Sequence, residues 1–306
     1  MTTGSPPVHR RDRIGASAAA LALMTSVLWG GNQVAIKLGL EAMPPLAMAG
    51  ARFGIGLLVV VGAAAVARVS LRMRPGELAG LAGLAILFVV QIGTLNVGTV
   101  YTSASRSTVA ISAYPFFTAL FAHLFIPGDR LSATKVAGMV LAFAGVVLLM
   151  ADGLIADAGV LGDAIVLTSA ILLGLRQTVL KRLVHDAHPY KVLFWQSCLS
   201  LPVFVALSLM FESSSAYAFT WRATGGILYQ GIAVAGICFI VLVFLFTRHS
   251  ASQLGTFGFV NPVVGVYLSA WIIGDELSPQ VLVSTALVAT GIVFCTRELQ
   301  ADEAKE

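Results

Sequence analysis

Apolar residues along this chain gather into runs of about twenty, separated by short polar joints. The runs fall at roughly 17–38, 45–67, 78–99, 104–126 and 132–151, then at 159–181, 190–211, 224–246, 251–273 and 279–296. Each is long enough, as a helix, to cross a hydrocarbon core of about 30 Å. A helix also satisfies its own backbone polar groups where no water is present. The joints, such as RVSLRMRPGE, IPGDRLS, KRLVHDAHP and GDELSP, carry the charges and turn formers. The pattern predicts an all-α polytopic membrane protein with ten transmembrane helices. Residues 1–15 and 298–306 read as tails. The Arg-rich start followed by AAALALM resembles a secretory signal, but nine further runs make it a first transmembrane helix.

The runs come in two sets of five. A shift of 144 residues lays WGGNQVAIK (29–37) over LGLRQTVLK (173–181), matching Gly30 to Gly174, Gln33 to Gln177 and Lys37 to Lys181, and it also pairs Pro45 with Pro189. A shift of 147 lays SASRSTVAISAYP, from Ser103 to Pro115, over SASQLGTFGFVNP, from Ser250 to Pro262. A shift of 146 pairs Gly128-Asp129 with Gly274-Asp275 and Gly145 with Gly291. The chain thus divides into repeats at 1–151 and 152–306. Because five is odd, the second copy enters the membrane upside down relative to the first. Inverted repeats recur in secondary transporters, with the binding site between them near the midplane.

Composition agrees with the membrane reading. Apolar residues make up 58% and charged residues 11%, with a mean hydropathy of +0.89, whereas soluble domains carry about 25% charge. Lysine and arginine set the orientation. With the N-terminus in the cytoplasm, fourteen basic residues face inward and only Lys37, Arg106 and Arg222 face outward, leaving Arg52 and Arg176 within spans. Both termini are therefore expected in the cytoplasm, in a bacterial-type inner membrane. The basic balance reflects this bias and gives no support for nucleic-acid binding.

Polar side chains inside spans are the candidate chemistry. In the first span Thr25, Ser26, Trp29, Asn32, Gln33 and Lys37 share an arc of about 140°, a face that must meet protein or a watery cavity. Asn32 serves equally well as an interhelical hydrogen bonder, and Gly30-Gly31 as a close helix contact. Candidate cavity residues are Trp29, Asn32, Gln33, Gln91, Tyr114, Gln177, Trp195, Gln196, Tyr229, Asn261 and Tyr267. Candidate hinges are Gly30, Gly31, Pro115, Gly174 and Pro262. Each proline, placed mid-span, frees the carbonyl four residues earlier, at Ile111 and Gly258. Arg52, about seven residues into its span, either snorkels outward or holds a substrate carboxylate. No Asp or Glu lies deep in a span, Asp163 being nearest. His123 stands alone there, so tight proton coupling has little support. Cys198, Cys238 and Cys295 are isolated, and His185 and His188 have only Asp186 nearby, so neither disulfides nor a metal site are expected. No catalytic signature and no phosphate-binding loop occurs, and no cofactor or obligate protein partner is implied.

With these residues the chain resembles the drug/metabolite transporter superfamily, and within it the EamA-type exporters. The resemblance rests on the two five-helix halves, on WGGNQVAIK in the first span, and on the mid-span proline followed by GDRLS or GDELS. It is similar to the YddG-type subfamily of bacterial amino-acid exporters. The resemblance implies a central cavity lined by both halves, alternating access, and export of amino acids, aromatic ones included, or of related small metabolites. One departure is Asp129 and Asp275 where many members carry Glu; both acids are expected to cap the following helix. A cavity of amides, aromatic rings and little fixed charge suits a small zwitterion. Cationic drugs and nucleosides stay open as cargo, with an intramembrane enzyme or a non-transporting scaffold as rivals.

Overall fold

The computed structural model describes residues 15–125, 133–155, 159–213, 217–248 and 256–303. Among them every regular element is helical and no strand occurs. In chain order the helices are α1 (Ala16–Gly30), α2 (Asn32–Leu40), α3 (Pro45–Val66), α4 (Glu77–Val100), α5 (Ala104–Ile111), α6 (Tyr114–Phe125), α7 (Ala133–Ile155), α8 (Val160–Asp186) and α9 (Pro189–Phe211). They continue with α10 (Trp221–Leu228), a π-helix (Tyr229–Cys238), α11 (Phe239–Arg248), a 3₁₀ turn (Thr256–Phe259), α12 (Val260–Ile272) and α13 (Pro279–Glu303).

Among the described residues seven segments are long and apolar enough to cross a membrane: Ala16–Leu40, Pro45–Val66, Glu77–Val100, Ala104–Phe125, Val160–Val184, Pro189–Phe211 and Trp221–Leu245. Shorter apolar helices lie at Val136–Leu149, Val260–Ile272 and Pro279–Phe294. Their ends follow local chemistry. Pro45 and Pro189 open α3 and α9, where the missing N–H costs nothing. The side chains of Ser103 and Thr220 cap α5 and α10 by accepting from the amides of Arg106 and Ala223.

Two spans are interrupted. The first breaks at Gly31, between α1 and α2. The fourth breaks at Ser112 and Ala113, so Pro115 sits in the opening turn of α6. Pro262 likewise falls in the opening turn of α12, behind the 3₁₀ turn. Both prolines, mid-span in the sequence, thus stand in first-turn positions, where proline's fixed φ fits the helix. A further departure is the π-helix inside the span expected at 224–246.

Helices from the two ends of the chain interleave. α3 packs against the π-helix and α9, α4 against α8, and α7 against α13. The last crossing is tight because Gly145 and Gly291 both lie in it. A Cβ on Gly145 would stand 2.9 Å from the Ser284 carbonyl, and one on Gly291 would stand 2.6 Å from the Gly138 carbonyl. A ring cluster of Phe53, Phe88 and Phe204 fills the junction of α3, α4 and α9, with the Phe53 and Phe88 centroids 4.5 Å apart.

One end of the bundle is tied by polar contacts between separate helices. Lys37 Nζ donates to the carbonyls of Thr99, at 2.9 Å, and Thr102. Arg106 pairs with Asp163, which also accepts from the Thr102 hydroxyl at 2.6 Å. Glu212 accepts from the amides of Leu46 and Ala47, at 2.7 and 2.9 Å, at the start of α3. Gly274, at φ +85, ends α12 in the left-handed turn that glycine favours. Asp275 then accepts from the Ser269 hydroxyl and, at 2.9 Å, from the Ser105 amide in the first turn of α5. The acid of the second closing motif therefore caps a helix from the other end of the chain. The expectation that it caps the next helix is corrected: Ser278 does that, accepting from the Val281 amide. Asp129 and Ser250–Ser252 lie outside the described residues.

Candidate functional site: a cavity between the helices

A cavity opens where the breaks in the first and fourth spans meet α3, α4, α8 and the π-helix. Its volume, about 90 Å³, is several times the roughly 10–15 Å³ that one water needs. Trp29, Asn32 and Gln33 reach it from either side of the Gly31 break, and Ile111, Ser112 and Tyr114 from the second break. Gln91, Gln177 and Asn261 complete its amide lining, while Ile92, Leu95, Leu173 and Val234 give it apolar wall. A smaller adjoining cavity shares Trp29, Arg176, Gln177 and Phe239, and extends along Leu180, Leu193, Gln196, Leu242 and Val243. Those residues lead away from the tied end.

Hydrogen bonds hold part of this lining in place. The Gln91 amide donates to Ser169 Oγ at 2.9 Å, and that hydroxyl donates back to the Gln91 carbonyl at 2.7 Å. Ser107 donates to Gln33 Oε1 at 3.2 Å. Other polar atoms on the same wall are buried and have no protein partner: Asn32 Oδ1, Gln91 Oε1, Asn261 Oδ1, Arg52 Nε and Arg176 Nε. Buried polar groups are rarely left so, and a concentration of such residues around one cavity is the arrangement expected of a ligand pocket.

Two arginines change the electrostatics. Arg52 and Arg176 line the cavity and are only 2% and 5% exposed. Arg52 Nη1 donates to Gln230 Oε1 at 3.0 Å, and its guanidinium lies 4.4 Å from the Phe53 ring centre. Arg176 lies 4.9 Å from the Phe88 centroid and 5.8 Å from that of Phe239. Such contacts are worth about 0.5–2 kcal/mol, less than the roughly 2.5–3.5 kcal/mol cost of an arginine at the bilayer centre. Among the described residues no Asp or Glu lines the cavity. The expected cavity of little fixed charge is therefore corrected to one with two cationic groups. Arg176 carried a readable signal, since the 144-residue shift sets it opposite Asn32, just as it sets Arg52 opposite Gln196.

Of the residues expected at the site, Trp29, Asn32, Gln33, Gln91, Tyr114, Gln177 and Asn261 line the main cavity, and Gln196 lines the adjoining one. Three do not. Trp195 Nε1 donates to the Leu71 carbonyl at 2.8 Å, within an apolar cluster. The Tyr229 hydroxyl turns to the Leu28 carbonyl at 2.6 Å, bracing the Gly31 break. Tyr267 is 67% exposed, on the same outer face as Val263 and Trp271, because α12 buries the opposite face through Pro262, Gly265, Val266 and Ser269. Among the hinge candidates, Gly30, Gly31 and Gly174 are points of close approach. A Cβ at Gly30 would meet Val264 at 2.8 Å, one at Gly31 the Tyr229 hydroxyl at 2.8 Å, and one at Gly174 Phe117 at 2.6 Å. His123 is exposed near the end of α6. Among the described residues no cluster of three metal-ligating side chains occurs.

The model of the EamA-like transporter family matches twice, over residues 16–151 and 160–297. The chain is 26% identical over 281 residues to a protein of Escherichia coli (strain K12) described as a "Probable amino-acid metabolite efflux pump", covering 89% of this chain and 92% of that one. It is 20% identical over 277 residues to the transporter YoaV of Bacillus subtilis (strain 168), covering 90% and 94%. A crystal structure at 22% identity superposes with a TM-score of 0.69, covering 92% of this chain and 99% of the other.

Proposed function

The chain belongs to the EamA-like transporter family, and we propose that it exports amino acids across a bacterial-type inner membrane by alternating access. It is a membrane transporter, and its relatives are transporters rather than enzymes. In this reading ten helices cross the bilayer as two inverted five-helix repeats, 1–151 and 152–306, with both termini in the cytoplasm. The interleaved packing and the double family match support two such halves.

The observation that carries the reading is the cavity itself, lined by residues whose amide oxygens and guanidinium nitrogens are buried without protein partners. Donors and acceptors suit the two ends of an α-amino acid: a carboxylate for the arginines, an ammonium for Asn32 and Asn261. The break at Ser112–Ala113 adds main-chain groups, since Pro115 has no N–H to return to the Ile111 carbonyl. Two fixed positive charges weigh against cationic drugs as cargo. The tied end, with Lys37, Arg106 and Asp163, corresponds to the outer face, and the adjoining cavity leads toward the cytoplasmic one.

Counterflow in proteoliposomes holding only this protein tests the reading. Vesicles preloaded with unlabelled amino acid should accumulate the labelled form saturably at equal pH on both sides. Accumulation should be unchanged by an imposed pH gradient. No amino-acid flux under either condition contradicts the proposal.

A further inference from the structure

We propose that Arg52 and Arg176 form a carboxylate clamp, so that the preferred cargo is a small organic acid of net negative charge: an acidic amino acid or a comparable dicarboxylate. This deepens the transport reading and rests on it. Both side chains are almost wholly buried within spans, on α3 and α8, and both line one cavity. They stand over neighbouring rings, Arg52 over Phe53 and Arg176 over Phe88, whose centroids are 4.5 Å apart. Uncompensated cations are costly there, and two that repel make the site hungry for anions.

Among the described residues no carboxylate is paired with them. None lines the cavity, and the described ion pairs of Asp163 and Glu77 are with Arg106 and Lys191, at helix ends. Gln230 contributes one neutral oxygen to Arg52, and ring faces contribute the rest. The Nε atoms of both guanidiniums remain without partners. A guanidinium presents a planar fork of donors that matches a carboxylate in two parallel hydrogen bonds.

A neutral zwitterion brings one negative and one positive charge, and leaves the pair of arginines uncompensated. A second carboxylate on the cargo cancels that surplus. Asn32 Oδ1 and Asn261 Oδ1 then accept from an α-ammonium, and Ile92, Leu95 and Leu173 pack the carbon chain. The arginines come one from each repeat, and the positions matched to them by the 144-residue shift are the amides Gln196 and Asn32. The charge is thus specific to this pair of positions, and is not a general need of the architecture.

The test uses purified full-length protein and ligands that differ in charge: glutamate, succinate, leucine and lysine. Binding is read from quenching of tryptophan emission, to which Trp29 on the cavity wall contributes, and exchange from counterflow. The clamp predicts glutamate and succinate at least about tenfold tighter than leucine, with lysine weakest. Arg176→Gln should remove about tenfold in glutamate affinity while leucine changes less than about threefold; Arg176→Lys should keep more of the preference. Glutamate ahead of succinate identifies amino acids as the cargo, and the reverse order identifies dicarboxylates. Leucine or lysine binding as well as glutamate overturns the clamp, and so does an equal loss of all ligands in a folded Arg176→Gln protein. Charge-selective binding without counterflow keeps the clamp and removes the transport reading. Leucine counterflow without charge preference does the reverse.

Discussion

Each arginine of the cavity is held face-on by a ring, and the two rings touch: Phe53 supports Arg52, Phe88 supports Arg176, and their centroids stand 4.5 Å apart. Positioning of this kind depends on close packing nearby on the same helix. Gly174, two residues before Arg176, has Phe117 and the Thr118 amide where a Cβ would go, at 2.6–2.7 Å. Gly174→Val should therefore destabilise the protein by about 1–3 kcal/mol, read as earlier thermal unfolding in detergent. It should also weaken ligand binding by displacing α8 and its arginine. Residues such as Asn32, Gln33, Gln91 and Gln177 were legible as site candidates because an amide inside an apolar run has few places to go. Trp195, Tyr229 and Tyr267 were misplaced for a common reason. A sequence fixes an aromatic residue's depth and its angle on its own helix, but not which neighbour covers that face. Tyr267 finds none, and Tyr229 finds a carbonyl at a helix break.

Among the elements, the interrupted spans distinguish this bundle from a set of straight rods. Ala104–Phe125 reads from sequence as one apolar run, and its length and ends agree with the expected 104–126. The break at Ser112–Ala113 was legible only as a proline nearby, because loss of one N–H does not say on which side of the proline the helix yields. Pro115→Ala supplies that N–H and lets a continuous helix compete with the broken one. The variant should be as stable as the parent or up to about 1 kcal/mol more stable, since alanine is the better helix former. Its exchange rate should fall, as checked by melting and counterflow on the same preparation. The π-helix was not legible. After Tyr229 and Gln230, YQGIAVAGIC is a small and apolar stretch, and a change in turn size leaves little mark on a run with so little polar contrast. Its role is visible in Gln230, which accepts from Arg52 and donates to the Ala35 carbonyl at 2.8 Å. Gln230→Leu strips both contacts and should cost about 1–3 kcal/mol, again read by melting.

On the scale of the molecule, the contacts at the tied end bind one half of the chain to the other. Asp275 holds Ser105, Glu212 holds Leu46 and Ala47, and Asp163 holds Arg106. Sequence repeats revealed that the closing motifs matter in pairs, but not that an acid of one half caps a helix of the other. That relation exists only once the halves are packed. In the proposed cycle and orientation, these contacts part when the cavity opens outward. Asp275→Ala should therefore shift the population toward the outward-open state, and raise labelling of cavity cysteines from the outer face by severalfold.

Cysteine labelling at Asn32 tests the account most directly. Cys198, Cys238 and Cys295 are first replaced, and Asn32→Cys is placed in sealed, oriented vesicles. A membrane-impermeant thiol reagent is then applied to one face at a time. A water-filled transport cavity predicts modification from the cytoplasmic face, slower modification from the outer face, and protection from both by saturating cargo. A cysteine at Asn32 that stays unmodified from either face, in protein shown to be folded, means a sealed helix contact and contradicts the account.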